Sequence, residues 1–286
     1  MGHQSKAIAR IRACSPAKLN LFLHVTGRRA DGYHTLQTAF QLLDWGDEML
    51  FEPRGAPGIE LTGELALLPP ENNLILRAAS QLDPQGTRGA RIHVDKVIPM
   101  GGGLGGGSSN AATTLLALNS LWHLEVTAAQ LIALSAPLGA DVPVFTAGRS
   151  AWAEGIGEDL QPLSLPPAWY VIVWPQSSVS TAEIFSHPEL TRNSAPITVA
   201  AFFSGSNRND LEAVVMAEYP EVRRARDWLR DRVPNARMTG SGGCVFASMK
   251  TQQQALEIAA SAPPEFDVFV AEGLDTRPEM RIEYEN

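Results

Sequence analysis

Pro99-Met100-Gly101-Gly102-Gly103-Leu104-Gly105-Gly106-Gly107-Ser108-Ser109-Asn110 is the stretch on which the reading of this chain turns. Six glycines around one leucine remove nearly every Cβ and permit positive φ, so the backbone can wrap an anion with its own N–H groups. Downstream, Ser108 to Leu118 holds good helix formers behind a Ser-Ser-Asn start, and such a helix aims its positive end at the same place. Upstream, Arg91-Ile92-His93-Val94-Asp95-Lys96-Val97-Ile98 reads as a strand. Flexible linkers are long, polar and repetitive, whereas this run is compact and lies between a predicted strand and a predicted helix. That is the context of a phosphate-holding loop.

The bulk of the chain sets bounds on what the loop can serve. With 286 residues, about two domains are expected, and a full core can be buried without staples. Hydrophobic residues at 44% and charged residues at 19% are ordinary for a globular protein. A net charge of -8 and only four lysines argue against nucleic-acid binding, which needs many cations on one face. A small anionic substrate remains compatible, because amides, a helix terminus and one or two cations can make a site locally positive. Cys14 and Cys244 show no metal or redox spacing, which fits a reducing compartment. No segment approaches the ~18 apolar residues of a membrane span, and residues 1–15 lack the apolar core of a signal peptide, so a cytoplasmic protein with no membrane partner is expected.

Strand character at 8–14, 18–25, 35–43, 49–51 and 59–61 makes the opening β-rich. Helical spacing predicts helices over 73–82, 108–120 and 127–134, with Thr127 as an N-cap. Trp169-Tyr170-Val171-Ile172-Val173-Trp174 reads as a buried strand near a domain change. Beyond it come helices at 209–218, 220–231 and 251–261, and strands near 235–239, 243–249, 267–271 and 279–284. The order suits an α+β protein with helices on one sheet face.

Three phosphate schemes compete for the loop. A P-loop needs Gly-Lys, and no lysine follows any glycine here. A dinucleotide turn is satisfied formally by Gly101 to Gly106 with Glu125 beyond, but any glycine-saturated run meets that pattern and the opening residues lack alternating strands and helices. The third scheme is a small-alcohol kinase. Pro16-Ala17-Lys18-Leu19-Asn20-Leu21, the Pro99–Asn110 loop, and Arg237-Met238-Thr239-Gly240-Ser241-Gly242-Gly243-Cys244 resemble, in order and spacing across nearly the whole chain, the three motifs of the GHMP kinase superfamily. Gly27-Arg28-Arg29-Ala30-Asp31-Gly32-Tyr33-His34, Leu138-Gly139-Ala140-Asp141-Val142-Pro143 and Ser178-Val179-Ser180-Thr181-Ala182-Glu183-Ile184-Phe185 are similar to the branch of that superfamily whose acceptor is a cytidine-diphospho methylerythritol.

The resemblance implies a two-domain fold. Residues 1–165 would form a nucleotide- and substrate-binding domain like ribosomal protein S5 domain 2, and residues 166–286 a ferredoxin-like domain, with the active site between them. It also implies transfer of the γ-phosphoryl of ATP, with Mg2+, to the 2-hydroxyl of the methylerythritol moiety on the non-mevalonate isoprenoid route. ATP would lie along Lys96, Pro99, Met100, Gly101, Gly102, Gly103, Leu104, Gly105, Gly106, Gly107, Ser108 and Ser109. Lys18 and Asp141 would be catalytic, while Asn20, Tyr33, His34, Thr181 and Phe185 would hold the acceptor, with the two aromatic rings of Tyr33 and Phe185 facing the cytosine and His34 reading its edge. The blander readings stay open at this point. Asp141 near Gly and Pro suits a cap, Lys18 suits a partner for some carboxylate such as Asp141, Ser108 suits either a helix cap or a Mg2+ ligand, and Tyr33 suits packing. No metal held by protein ligands alone is expected, since the histidines show no ligand spacing. A monomer or homodimer is expected, and a non-catalytic sensor or a kinase for another small alcohol, such as homoserine, is the alternative.

Overall fold

The structure, a computed structural model, describes residues 8–205 and 207–285. Residues 1–7, part of the N-terminal stretch read above, lie outside them. In chain order the elements are β1 (Ile8–Arg28), β2 (His34–Pro53), β3 (Gly58–Gly63), α1 (Leu74–Leu82), β4 (Gly89–Asp95), α2 (Gly106–Leu121), α3 (Ala128–Ser135), α4 (Val142–Ala147), β5 (Ala151–Glu154), β6 (Asp159–Pro162) and β7 (Trp169–Trp174). Then follow α5 (Thr181–Ser186), α6 (Val199–Phe203), α7 (Glu212–Glu218), α8 (Pro220–Arg230), β8 (Arg237–Met238), β9 (Val245–Met249), α9 (Gln252–Ala260), β10 (Asp267–Leu274) and β11 (Arg281–Glu285). The α+β class expected from the sequence is the one observed.

Two strands dominate. Where the sequence suggests four short strands, β1 and β2 are continuous over 21 and 20 residues. Their antiparallel pairing absorbs the irregular spots as register shifts between Pro16 and Lys18, Asn20 and Leu23, and Val25 and Gly27. Bulges bend and twist a long strand without ending it, and they re-aim side chains. Pro16, which donates no ladder hydrogen bond, sits at the first of these shifts opposite Gly46. The crossing is tight: a Cβ on Gly46 would stand 2.2 Å from the Ser15 carbonyl oxygen.

β2 is the hub of the sheet, pairing with β1, β4, β5 and β10. The continuous strand order runs β11-β1-β2-β10-β7-β9-β8, and β10 meets β2 only through Gly273 with Leu43 and Leu274 with Leu42. A narrow seam therefore joins the sheet of the first half to that of the second. Against the first sheet lies α2, whose Ala111, Ala112 and Leu115 pack on Phe40, Leu42 and Phe145, while Ala117 and Leu118 face Met49 and Ile92. A helix buried on nearly all sides needs no polar stripe, which is why its periodicity is faint in the sequence. Asn73 caps α1 by accepting from the Ile75 amide, and Thr127 forms a reciprocal capping box with Gln130, as its position suggested. The elements that sequence periodicity misses, α4, β5, β6, α5 and α6, are four to six residues long, too short to establish a period.

Gly46→Ala is expected to force β1 and β2 apart at Pro16 and cost about 1–3 kcal/mol. Urea unfolding would show a lower midpoint at unchanged slope, and an unchanged midpoint would contradict the close crossing.

Candidate active site

Two confluent cavities lie between the halves of the molecule. One, of about 500 Å³, is lined by Lys18, Asn20, Lys96, the glycine loop and Asp141; the other, of about 620 Å³, is lined by Tyr33, His34 and Phe185. They share Leu36, Ala140, Ile156, Thr181 and Phe185, so Asp141 stands next to the junction.

The glycine loop owes its shape to where its carbonyls go. The Met100 oxygen accepts from the Ser178 hydroxyl, Gly101 from the Val179 amide, and Gly102 from the Cys244 amide. Gly103 accepts from Lys18 Nζ, Leu104 from the Lys18 amide, and Gly105 from the Ser109 amide. Each of these six carbonyls is drawn into the protein, whereas no N–H of residues 101–108 donates to another described residue. Unspent amides lining a cavity at a helix start form an anion cradle. The helix begins earlier than its Ser-Ser-Asn start suggests, because Gly105 at φ 73° serves as N-cap and opens α2 at Gly106. Ser108 is thus inside the first turn rather than a cap, which corrects that alternative. Ser109 is fully buried, accepts from the Ser15 hydroxyl, and does not line the cavity, unlike Pro99 to Ser108 and Lys96.

Glycine is required in the loop for a reason the sequence does not disclose. A Cβ on Gly103 would lie 2.5 Å from the Thr239 carbonyl oxygen and 2.8 Å from that of Gly242, and one on Gly243 would lie 2.5 Å from the Gly101 oxygen. The glycines permit contact with the second glycine turn, 239–243, as much as with any ligand.

Lys18 is 2% exposed, donates to Asn20 Oδ1 and to the Gly103 carbonyl at 2.9 Å, and forms an ion pair with Asp141 Oδ2 at 3.3 Å. Asn20 is fixed in turn by donating to Thr38 Oγ1 at 2.9 Å, and that hydroxyl donates to the Phe22 carbonyl. Asp141 stands at the N-cap position of α4 but makes no capping hydrogen bond, leaving its one-third exposed carboxylate for Lys18 and the cavity. A buried ammonium beside a half-open carboxylate can stabilise and accept a proton from an attacking hydroxyl.

At the other end, Tyr33 is 62% exposed on its turn, and the His34 and Phe185 rings pack on each other at 5.2 Å between centroids. That spacing leaves no room for a base between those two rings, so they form one wall and Tyr33 another. Thr181 meets Ser241 through their hydroxyls at 2.6 Å, tying the helix of Phe185 to the second glycine turn. Arg192, absent from the sequence expectations, donates to His34 Nε2 at 3.1 Å and to the Phe185 and His187 carbonyls. Burial, then the charges of Arg192 and Arg28, hold the His34 imidazole below its usual range, so the ring is neutral near pH 7.

Behind the loop lies a second residue that the sequence reading missed. Asp47, fully buried, accepts from Lys96 Nζ at 2.7 Å, from the Val97 and Ile98 amides at 2.8 Å each, and from Asn110 Nδ2 at 2.9 Å. It braces both the entry to the glycine loop and the first turns of α2. Burial pushes the Lys96 ammonium down while Asp47 pulls it back up. Asp47→Asn would leave Lys96 buried without its counter-charge, and is expected to cost about 3 kcal/mol of stability. It should also raise the KM for nucleotide more than that for the acceptor, since Lys96 lines the loop's cavity. Denaturant melts and steady-state kinetics check both; equal changes in the two KM values would rule out this bracing role.

The chain as a whole is similar to known proteins. The sequence profile of the GHMP kinases N terminal domain matches residues 73–149, and that of the GHMP kinases C terminal matches 190–266. A 4-diphosphocytidyl-2-C-methyl-D-erythritol kinase of Aromatoleum aromaticum is 52% identical over 274 residues, covering 95% of this chain and 96% of its own. One of Pseudomonas paraeruginosa is 53% identical over 266 residues, with 92% and 94% covered. A crystal structure of a 4-(cytidine 5'-diphospho)-2C-methyl-D-erythritol kinase superimposes with a TM-score of 0.80 at 35% identity, over 92% of this chain and 98% of the other. A homoserine kinase from Cytophaga hutchinsonii shares the fold alone, at TM-score 0.65 and 16% identity. With both family models matched and nearly its full length covered by these relatives, the chain belongs to the GHMP kinase family, in the branch of the 4-diphosphocytidyl-2-C-methyl-D-erythritol kinases.

Proposed function

We propose that this kinase transfers the γ-phosphoryl group of ATP to the 2-hydroxyl of 4-diphosphocytidyl-2-C-methyl-D-erythritol, a step on the non-mevalonate route to isoprenoid precursors. The observation that carries the reading is the row of undonated amides at 101–108 facing one cavity, with an aromatic-walled cavity opening beside Lys18 and Asp141. In this reading a polyphosphate takes the first cavity and a pyrimidine the second, with the reacting hydroxyl near the junction. Residues 1–165 supply the phosphate loop and the reacting pair, and residues 166–286 supply Phe185 and the second glycine turn. Both cysteines are free, consistent with work in the cytoplasm.

In this reading the loop amides and the start of α2 neutralise the phosphates of ATP, with Lys96 beside them. Mg2+ ordinarily keeps several waters and takes one or two protein oxygens together with substrate phosphates, and the Ser108 hydroxyl on this cavity fits that donor set. When bound it supplies charge neutralisation of the phosphates. Asn20 and Asp141 orient the acceptor's hydroxyl for in-line attack on the γ-phosphorus. As the new O–P bond forms and the bond to the β-phosphate oxygen breaks, ADP leaves with its electron pair. The hydroxyl proton passes late to Asp141, which suits a carboxylate in a loose transition state, while the Lys18 ammonium steadies the developing negative charge on oxygen. At the far end Tyr33 covers one face of the cytosine, Phe185 with His34 forms the opposite wall, and Thr181 lies where the two cavities meet. His34, receiving from Arg192 at Nε2, carries its proton at Nδ1 for the base edge.

Coupled ADP release with the cytidine-diphospho acceptor, with homoserine and with no acceptor tests the assignment; turnover with homoserine alone, or none at all, would overturn it. Asp141→Asn keeps shape but loses the proton acceptor, so kcat is expected to fall by about 10²–10⁴ with the KM for ATP little changed. Near-normal single-turnover phosphoryl transfer in that variant would remove Asp141 from the chemistry.

A pH profile tests the cytosine end. His34 is depressed in the enzyme, so it stays neutral through its usual range and protonates only at lower pH, where kcat/KM for the acceptor falls. Arg192→Met removes one of the causes of that depression and is expected to move this acid limb to higher pH. A limb that stays in place would show that His34 does not control it.

A further inference from the structure

On the far side of the strand that carries Lys18 and Asn20 is a cavity of about 780 Å³ that plays no part in the reaction proposed above. Its lining is dominated by guanidinium groups: Arg208, Arg226, Arg230 and Arg237, with Glu212 and the buried His24. In a chain whose net charge is -8, four arginines around one concavity stand out.

Their present partners leave charge unspent. Arg208 is paired with Asp210 at 2.8 Å and Arg226 with Asp227 at 2.6 Å. Glu212 is divided between Arg226 and Arg230, each at 3.4 Å, and also accepts from the Met238 amide at 2.9 Å. Arg237 has no carboxylate within ion-pair distance among the described residues; it donates to the Leu21 and Asn235 carbonyls and lies 4.6 Å from the Phe246 ring centre. Four cations thus face three carboxylates, and the Arg208 and Arg230 side chains, 64% and 45% exposed, keep donor sites open to the cavity.

His24 belongs to the wall of this cavity. It is 5% exposed, and neither ring nitrogen has a hydrogen-bond partner among the described residues. The Ala195 backbone is near enough to favour the ring's proton slightly, but not in hydrogen-bond geometry. Its ring is set at 84° to that of Phe22, 5.2 Å away, so packing holds it in place. Burial, only partly offset by Asp210, keeps it neutral. Both ring nitrogens are closed off from the surface, so the imidazole helps to build the wall of the cavity and the arginines supply its donors.

We propose that this arginine-lined cavity is a second ligand site, for a small molecule bearing a phosphate or diphosphate group, with Arg208 and Arg230 clamping the oxyanion. The site is concave and of a size for a metabolite, and the acidic chain as a whole is unsuited to nucleic acid. It shares a wall with the reaction cavity. Asn209, also on its lining, donates to the carbonyls of Met238 at 3.2 Å and Gly240 at 2.8 Å, and Gly240 lines the reaction cavity.

Inorganic pyrophosphate is the probe, titrated by calorimetry into full-length enzyme saturated with a non-hydrolysable ATP analogue and the acceptor, at buffered free magnesium. One molecule is expected to bind per chain. Arg230→Gln and Arg208→Gln should each weaken it about tenfold or more, the loss of a hydrogen bond to a charged group. Arg223→Gln, an exposed change elsewhere on α8, should leave it unaltered. Thermal melts of the saturated enzyme give a second readout: pyrophosphate should raise the melting temperature of wild type and Arg223→Gln, but not of Arg230→Gln. Absence of saturable heat with both catalytic ligands bound, or equal affinity in wild type, Arg230→Gln and Arg208→Gln, would overturn the proposal.

Discussion

A single buried ammonium organises this molecule. Lys18 is 2% exposed, and a charge so placed is tolerable only when every donor is met, because removing one partner strands the rest in a poor solvent. Its partners come from three places: Asn20 from its own strand, the Gly103 carbonyl from the glycine loop, and Asp141 from the start of α4. Satisfying the charge therefore fixes the distance between strand, loop and helix. It also turns the Gly103 oxygen away from the cavity, which leaves amides where a phosphate must sit. The requirement of one cation for solvation and the requirement of the site for donors are met by the same contacts.

The electrostatics follow a similar economy. The chain is acidic overall, yet its reaction cavity presents amides, a helix start and two lysines, one of them neutralised from behind by Asp47. Local backbone geometry, rather than net charge, makes the site attractive to an anion. The aromatic-walled end, proposed above for the cytosine, has a neutral ring instead. There Arg192 does two jobs, holding His34 in one tautomer and tying down the carbonyls of the segment that carries Phe185.

What was legible in the sequence was the chemistry that is local in sequence. The glycine run, Lys18 two residues before Asn20, and Asp141 between glycine and proline are contiguous motifs, and the resemblance they carry gave the fold and pointed to Lys18 and Asp141, which the structure brings within 3.3 Å of each other. Helix α2 was placed to within two residues, the error arising because Gly105 at positive φ starts a helix without any capping side chain. Asp47 and Arg192 were not legible. Their roles exist only after strands come into register, Asp47 reaching a lysine 49 positions away and Arg192 a histidine 158 positions away. A lone acid in a strand-like run and one arginine among many carry no local signal. The continuity of β1 and β2 was hidden for the same reason, since Pro16 reads as a break until Gly46 is seen opposite it.

The two glycine turns interlock backbone to backbone, Gly103 against the Thr239 and Gly242 carbonyls and the Cys244 amide on the Gly102 oxygen. Their order along the chain has a temporal meaning. During synthesis the phosphate loop emerges long before the segment that shapes it, so the loop cannot adopt its cradle until residues 239–244 have left the ribosome. Nucleotide therefore cannot template the folding of the first half, and the last third of the chain must find its place unaided by ligand. Closing a contact of such long range is slow, because chain entropy must be lost before the contact rewards it. Competence to bind ATP is thus a late event in the life of each molecule, and the nascent enzyme is shielded from committing to its substrate before both halves are present.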